Sequence, residues 1–210
     1  MEAKMTGANS SPDAKRVVAV GKALPSILSG EVDPLQILFS EDKLCENLYR
    51  YGTGAEIIHA QLSGFVEAMA HKNLTMKILE IGAGTGGATV PVINTLTHHG
   101  DNEFGARFER YDYTDISPSF FEHAKKTFEC AADRMQFKVL NIENNPKQQG
   151  FEEGEYDLVI AANVIHATKN IEATLKNVRK LLKPGGKFAL YEVTNLNMIY
   201  IHFAFGLLPG

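Results

Sequence analysis

Ile78-Leu79-Glu80-Ile81-Gly82-Ala83-Gly84-Thr85-Gly86-Gly87 carries an apolar strand into an acid and then into a loop with four glycines. Glycine lets a backbone turn sharply and approach a ligand that a Cβ would push away. Such a loop between a strand and a helix is where α/β folds hold nucleotides. Gly82-x-Gly84-x-x-Gly87 fits the dinucleotide fingerprint, and Glu80-x-Gly82-x-Gly84-x-Gly86 fits the S-adenosyl-L-methionine (SAM) loop equally well. Glu80 leans the choice. A pyrophosphate rests on the N-terminus of the following helix, a site that favours negative charge, so an acid beside it is unhelpful. SAM has no phosphate. It carries a sulfonium and an ammonium group, which an acid at the strand end suits directly or through water.

Downstream of Lys72 the pattern alternates strand and helix. Strands are expected at 76–81, 107–114, 135–140, 156–162 and 187–193. Helices are expected at 86–97 with Thr85 as cap, at 118–129 with Ser117 as cap and Pro118 in the first turn, and at 168–182, ended by Lys183-Pro184-Gly185-Gly186. Regular β-α alternation argues for an open, mostly parallel sheet with helices on both faces. Upstream, residues 1–15 read as a polar, disordered tail. Residues 16–72 show helical apolar spacing, punctuated by Gly30, Pro34 and Gly52-Thr53-Gly54, and read as two to four helices.

Composition narrows the function classes. The 210 residues are 44% hydrophobic with a net charge of −4, which supports a sizeable core and no broad basic face for nucleic acid. No apolar run reaches the ~20 residues of a membrane-spanning helix. Cys45 and Cys130 stand apart in sequence, away from any metal-like cluster, and read as free thiols of a reducing, cytoplasmic setting; no metal is expected.

Carboxyl ends of parallel strands face the ligand crevice, so the residues there are the candidates. Asp115 ends the second strand, where an acid either accepts both ribose hydroxyls or caps the next helix. Asn141 follows the third and can meet an adenine edge or form a turn. Asn163 and His166 lie just past the apolar fourth strand, and Glu192 ends the fifth. A histidine there is a natural general base and a carboxylate across from it would orient it. A satisfied loop histidine and a surface acid are the alternative on spacing alone. Tyr49 and Tyr51 offer either lining for a substrate channel or simple aromatic packing.

The loop from Glu80 to Gly87, Thr114-Asp115-Ile116-Ser117, Tyr156-Asp157-Leu158-Val159-Ile160 and Leu182-Lys183-Pro184-Gly185-Gly186 together resemble the class I SAM-dependent methyltransferases. Within them, Gly30-Glu31-Val32-Asp33-Pro34-Leu35, Thr114 to Phe121 and Asn163-Val164-Ile165-His166-Ala167-Thr168 are similar to the C-methyltransferase domain of fungal iterative, highly reducing polyketide synthases. The resemblance covers about residues 20–210. It implies an α/β fold: a Rossmann-like class I methyltransferase sheet at residues 73–210, preceded by a helical lid or substrate segment at 16–72.

It also implies a chemistry, methylation of the α-carbon of a β-ketoacyl thioester on an acyl carrier protein, with S-adenosyl-L-homocysteine as the spent cofactor. His166 and Glu192 fall on the family's catalytic pair. Glu80, Gly82, Gly84, Gly86, Asp115, Asn141 and Asn163 fall at its cofactor site, and other synthase domains become partners. Asn141 stands where the family commonly has Asp. The family continues past the position of Gly210 with a helix and a two-stranded antiparallel edge, so the resemblance implies a truncated domain or shortened homologue lacking that edge. The rival readings are a small-molecule O- or N-methyltransferase, a non-catalytic scaffold relic of a megasynthase, and a nicotinamide dehydrogenase.

Overall fold

A computed structural model describes residues 11–38, 44–97, 105–195, 197, 203, 206 and 207. The chain divides into two compact units, one of Met1–Ile57 with Val193–Gly210 and one of Ile58–Glu192. The expected tail over residues 1–10 lies outside the described residues.

In the first unit, α1 (Pro12–Leu28) starts earlier than the polar composition suggests. Ser11 takes the N-cap, accepting from the Ala14 amide at 3.2 Å, and Pro12 supplies a first-turn residue that has no N–H to satisfy. Three more helices follow, α2 (Pro34–Leu38), α3 (Leu44–Tyr51) and α4 (Ala55–Lys72), the last running into the second unit. Val20 and Leu38 form a small buried nucleus against which Ile37, Tyr49, Phe203 and Leu207 pack. Tyr49 is therefore a packing residue, while Tyr51 is exposed. Asp13 Oδ2 accepts from the Thr53 amide at 3.0 Å and its hydroxyl at 2.8 Å, which ties the Gly52-Thr53-Gly54 turn to the start of α1.

The described residues of the second unit form five parallel strands, β1 (Lys77–Ile81), β2 (Arg110–Asp115), β3 (Met135–Val139), β4 (Tyr156–Ala162) and β5 (Leu182–Tyr191). They pair in one sheet in the order β3-β2-β1-β4-β5. Among the described residues no strand is antiparallel. The strand period of two sorts the core onto two faces. Ile78, Tyr111, Tyr113, Leu158 and Ile160 bury one face against α4 (Leu62, Val66, Ala70), α5 (Thr89–Thr97: Val92, Ile93, Leu96) and α6 (Phe121–Thr127). Leu79, Ile81, Val159 and Ala161 bury the other against Val178 and Leu181 of α7 (Ile171–Leu181).

Several element boundaries depart from the sequence reading, the fifth strand among them, which runs Leu182–Tyr191 rather than 187–193. Helix α5 begins at Thr89, because Gly86 at φ +79° is turned away from right-handed helix. Thr85 does not cap it; its hydroxyl is buried without a protein partner. The second strand starts at Arg110, since the Arg107 amide donates to Leu96 O and its guanidinium clasps Glu67. Lys183-Pro184-Gly185-Gly186 does not end a helix: α7 stops at Leu181, and these residues form an irregularity inside β5, between the pairings Tyr156–Leu182 and Leu158–Lys187. No described helix is long and apolar enough to cross a membrane, and no described cluster of His, Cys, Asp and Glu could hold a metal. Cys130 is a free, exposed thiol; the Cys45 side chain lies outside the described residues.

Candidate active site

Strand order reverses between β1 and β4, and open α/β sheets bind ligands at the carboxyl ends of strands beside such a switch point. The glycine loop leaves β1 there, and the segment from Asn163 to His166 leaves β4 next to it. Asp115 closes β2, Asn141 follows β3 and Glu192 follows β5. All the candidates thus share one end of the sheet.

The loop is held open from below. Gly82, Gly84 and Gly86 have φ of +62°, +54° and +79°, a region that side chains rarely adopt. A methyl at Gly82 would collide with Val164 Cγ2, and one at Gly86 would lie 3.1 Å from the Phe128 ring. The glycines are therefore demanded by backbone twist and by protein packing. The Ala83 amide donates to Thr114 O at 2.9 Å, and the Tyr113 hydroxyl donates to Gly84 O at 2.6 Å.

Glu80 is 1% exposed. Its Oε2 accepts from the Thr89 hydroxyl at 2.6 Å and the Tyr111 hydroxyl at 2.5 Å, so the carboxylate joins the end of β1 to the start of α5 and to β2. Burial pushes its pKa up to about 7, against the lowering effect of the two hydroxyls; the nearby Asp115 charge adds to the rise. Nothing in the spacing of the sequence marks Thr89, Tyr111 and Tyr113 as partners of Glu80 and its loop. The one signal it carries is the alternation that places both tyrosines on one face of β2, beside β1.

Asp115 is 7% exposed; its Oδ2 accepts from the Gly84 amide at 3.0 Å and its Oδ1 from the Ser117 amide at 2.8 Å. Burial raises its pKa and the backbone amides partly offset this. Asn141 makes the turn the sequence also allowed: its Oδ1 accepts from the Glu143 amide at 3.0 Å, and Gln149 clamps its backbone, donating to its carbonyl at 2.9 Å and accepting from its amide at 2.8 Å. Asn163 sits at φ +54°, the sole non-glycine residue with positive φ among those described, and its Oδ1 is buried without a protein partner.

The histidine and the fifth-strand acid meet. His166, in the short 3-10 turn Ile165–Ala167, places Nδ1 2.5 Å from Glu192 Oε2. Glu192 Oε1 accepts from the Val164 amide at 3.1 Å and the Ile165 amide at 2.7 Å. Both carboxylate oxygens are thus used, one fixed by backbone and one facing the imidazole. A Nδ1–H donated to Glu192 leaves Nε2 with its lone pair, and the His166 side chain is 60% exposed. Elsewhere in this unit, α4 and β5 frame an apolar pocket of about 310 Å³ lined by Ile58, Gln61, Leu62, Phe65 and residues 188–191; none of the candidate residues lines it.

Residues 79–188 match the methyltransferase domain family. The chain belongs to that family. It is 52% identical over its whole length to the highly reducing polyketide synthase NEC1 of Pyricularia oryzae and 47% identical over 96% of its length to the squalestatin tetraketide synthase of a Phoma species. It spans only 7% and 8% of those two proteins. Among solved structures it is similar to the trans-methyltransferase CalH in complex with S-adenosylhomocysteine, with 36% identity and a TM-score of 0.83, covering 94% of this chain and 52% of that one. The CMeT domain of the citrinin polyketide synthase gives 30% identity and a TM-score of 0.83, covering 94% and 51%.

The CalH structure holds S-adenosylhomocysteine, the spent form of SAM. The residues present fit that group. Asn163 Oδ1 and Thr85 Oγ1 are buried polar atoms with no protein partner, and such atoms in native folds call for an explanation such as a bound group. Glu80 and Asp115 add two buried carboxyls at the same sheet end, an acceptor set suited to ammonium, sulfonium and ribose hydroxyls rather than to pyrophosphate.

Proposed function

We propose that this domain methylates the α-carbon of a β-ketoacyl thioester carried on an acyl carrier protein, within a polyketide synthase whose other domains are its partners. The observation that carries this reading is the His166–Glu192 pair at 2.5 Å, with the glutamate's second oxygen anchored by two backbone amides. Carbon methylation needs a base for a C–H proton. A histidine with one nitrogen tied to a carboxylate and the other open is such a base.

When bound, SAM supplies an electrophilic methyl group. The rest of the chemistry falls to the chain. His166 Nε2 takes the proton from the α-carbon, which two carbonyls make acidic, and leaves an enolate. Glu192 holds the ring in the Nδ1–H tautomer and stabilises the imidazolium that forms. Asp115 accepts the ribose hydroxyls on the lone pairs that Gly84 and Ser117 leave free. Asn163 Oδ1 faces the cationic methionine end and the buried Glu80 carboxyl adds negative potential from beneath the loop, while Gly84, whose missing Cβ meets no protein atom closer than 3.8 Å, gives the backbone its close approach, with Gly82 and Gly86 shaping the loop. Asn141 offers its amide Nδ2 to the adenine edge, its oxygen being held in the turn.

His166→Ala tests the assignment. Calorimetric SAM affinity stays within about twofold, while C-methylation of a β-ketoacyl thioester falls ~10²–10⁴-fold, the usual contribution of general-base catalysis. An alanine variant that methylates at the wild-type rate removes His166 from the mechanism. A wild-type domain that methylates phenols or amines but no thioester replaces the reading with O- or N-methyl transfer.

A further inference from the structure

Gly82 and His166 belong to different loops, yet one residue touches the machinery of both. Beyond its collision with Cγ2, a methyl on Gly82 would lie 2.9 Å from Val164 Cγ1 and 3.2 Å from its Cβ, so the bare face of the cofactor loop is the seat of the valine side chain. The Val164 amide, with that of Ile165, meanwhile grips Glu192 Oε1, whose sister oxygen holds His166 Nδ1. The left-handed Asn163 immediately before it turns the chain out of β4.

We propose that Val164 is a positioning residue whose branched side chain, seated on Gly82, sets the His166–Glu192 pair in register with the cofactor loop. The inference rests on the methyl-transfer reading above. Any residue but proline at this position could supply the amide. What valine adds is a β-branched side chain, stiff at χ1, filling the space over Gly82. Methyl transfer to carbon requires the base, the α-carbon and the methyl donor to be held together. Misplacement by ~1 Å, even from a change away from the chemistry, can cost on the order of 10²-fold. Through Val164, a shift of the cofactor loop becomes a shift of the carboxylate that orients the base.

The test compares Val164→Ala, Val164→Leu and Val164→Ile. Alanine opens a gap over Gly82, and leucine keeps the apolar bulk but moves the branch one carbon out. Leucine therefore probes the contact even if alanine fails to fold. Both lower kcat by about 10–100-fold at saturating SAM, with the SAM Kd within about twofold of wild type. Isoleucine, which keeps the β-branch, restores kcat to within about threefold. The second readout needs no turnover. In ¹⁵N NMR, wild-type His166 shows the single Nδ1–H tautomer, and the leucine variant shows exchange between tautomers. An unchanged kcat and an unchanged His166 spectrum in Val164→Leu overturn the proposal and leave Val164 as core packing. If the wild type methylates no thioester, the methyl-transfer reading falls while the spectra still decide whether Val164 sets the histidine.

Discussion

Burial holds the Glu80 carboxyl at about 7 in the folded chain, against an ordinary value of 4.5. Between those two values the native state binds the proton that the unfolded chain releases, so stability falls as pH rises through this window and levels off above it. The full effect is on the order of 3 kcal/mol. A cationic cofactor beside Glu80 favours the ionised form and pulls the proton off. SAM affinity is therefore expected to rise from pH 6 to pH 8, by at most about tenfold per pH unit, with a proton released on binding. Glu80→Gln flattens both curves. Thermal denaturation and calorimetry at the two pH values measure this, and a wild-type affinity that does not change with pH contradicts it. Asp115 has a raised pKa for the same physical reason, yet two backbone amides already satisfy part of its charge. The two acids differ in partners accordingly: both Asp115 oxygens accept from backbone amides, whereas Glu80 Oε2 accepts from two side-chain hydroxyls.

At the scale of elements, the segment from Lys183 to Gly186 shows how a familiar helix-stop pattern takes a different use. Leu182 is already extended and paired with Tyr156, and pairing resumes only at Lys187 with Leu158. A β-bulge absorbs the residues between, with Gly185 at φ +81°. A methyl on Gly186 would lie 2.9 Å from Tyr156 O and 3.0 Å from Lys183 O. These are backbone atoms that cannot rotate away. Gly186→Ala is expected to cost ~1–3 kcal/mol, seen as a lowered Tm, with SAM affinity unchanged because the bulge lies at the amino end of β5, opposite the site. An unaltered Tm would mean that the two strands separate there more readily than their pairing indicates.

For the molecule as a whole, much of the fold was legible because it follows from periodicity. Residues 156–162 read as a doubly buried strand and form one of identical extent. The four described helices ahead of the sheet fall within the expected number. What the letters do not carry is where a side chain is committed. Thr85 has the residue type of a cap but sits where the left-handed Gly86 keeps the helix from starting. Asn141 has the chemistry to read a base, and its oxygen closes a local turn with Glu143. The approach of His166 to Glu192 was readable from strand order, whereas the two amides that anchor Glu192 depend on the left-handed bend at Asn163 and on long-range register.

Whether these residues serve a carbon nucleophile is decided by supplying SAM with a trideuterated methyl group and a β-ketoacyl thioester to the wild-type domain, then locating the label by mass spectrometry and NMR. Three deuterons on a methyl at the α-carbon are expected, with transfer lowered ~10²–10⁴-fold in His166→Ala despite intact SAM binding. Label found on oxygen or nitrogen, or no label with SAM demonstrably bound, would contradict carbon methylation.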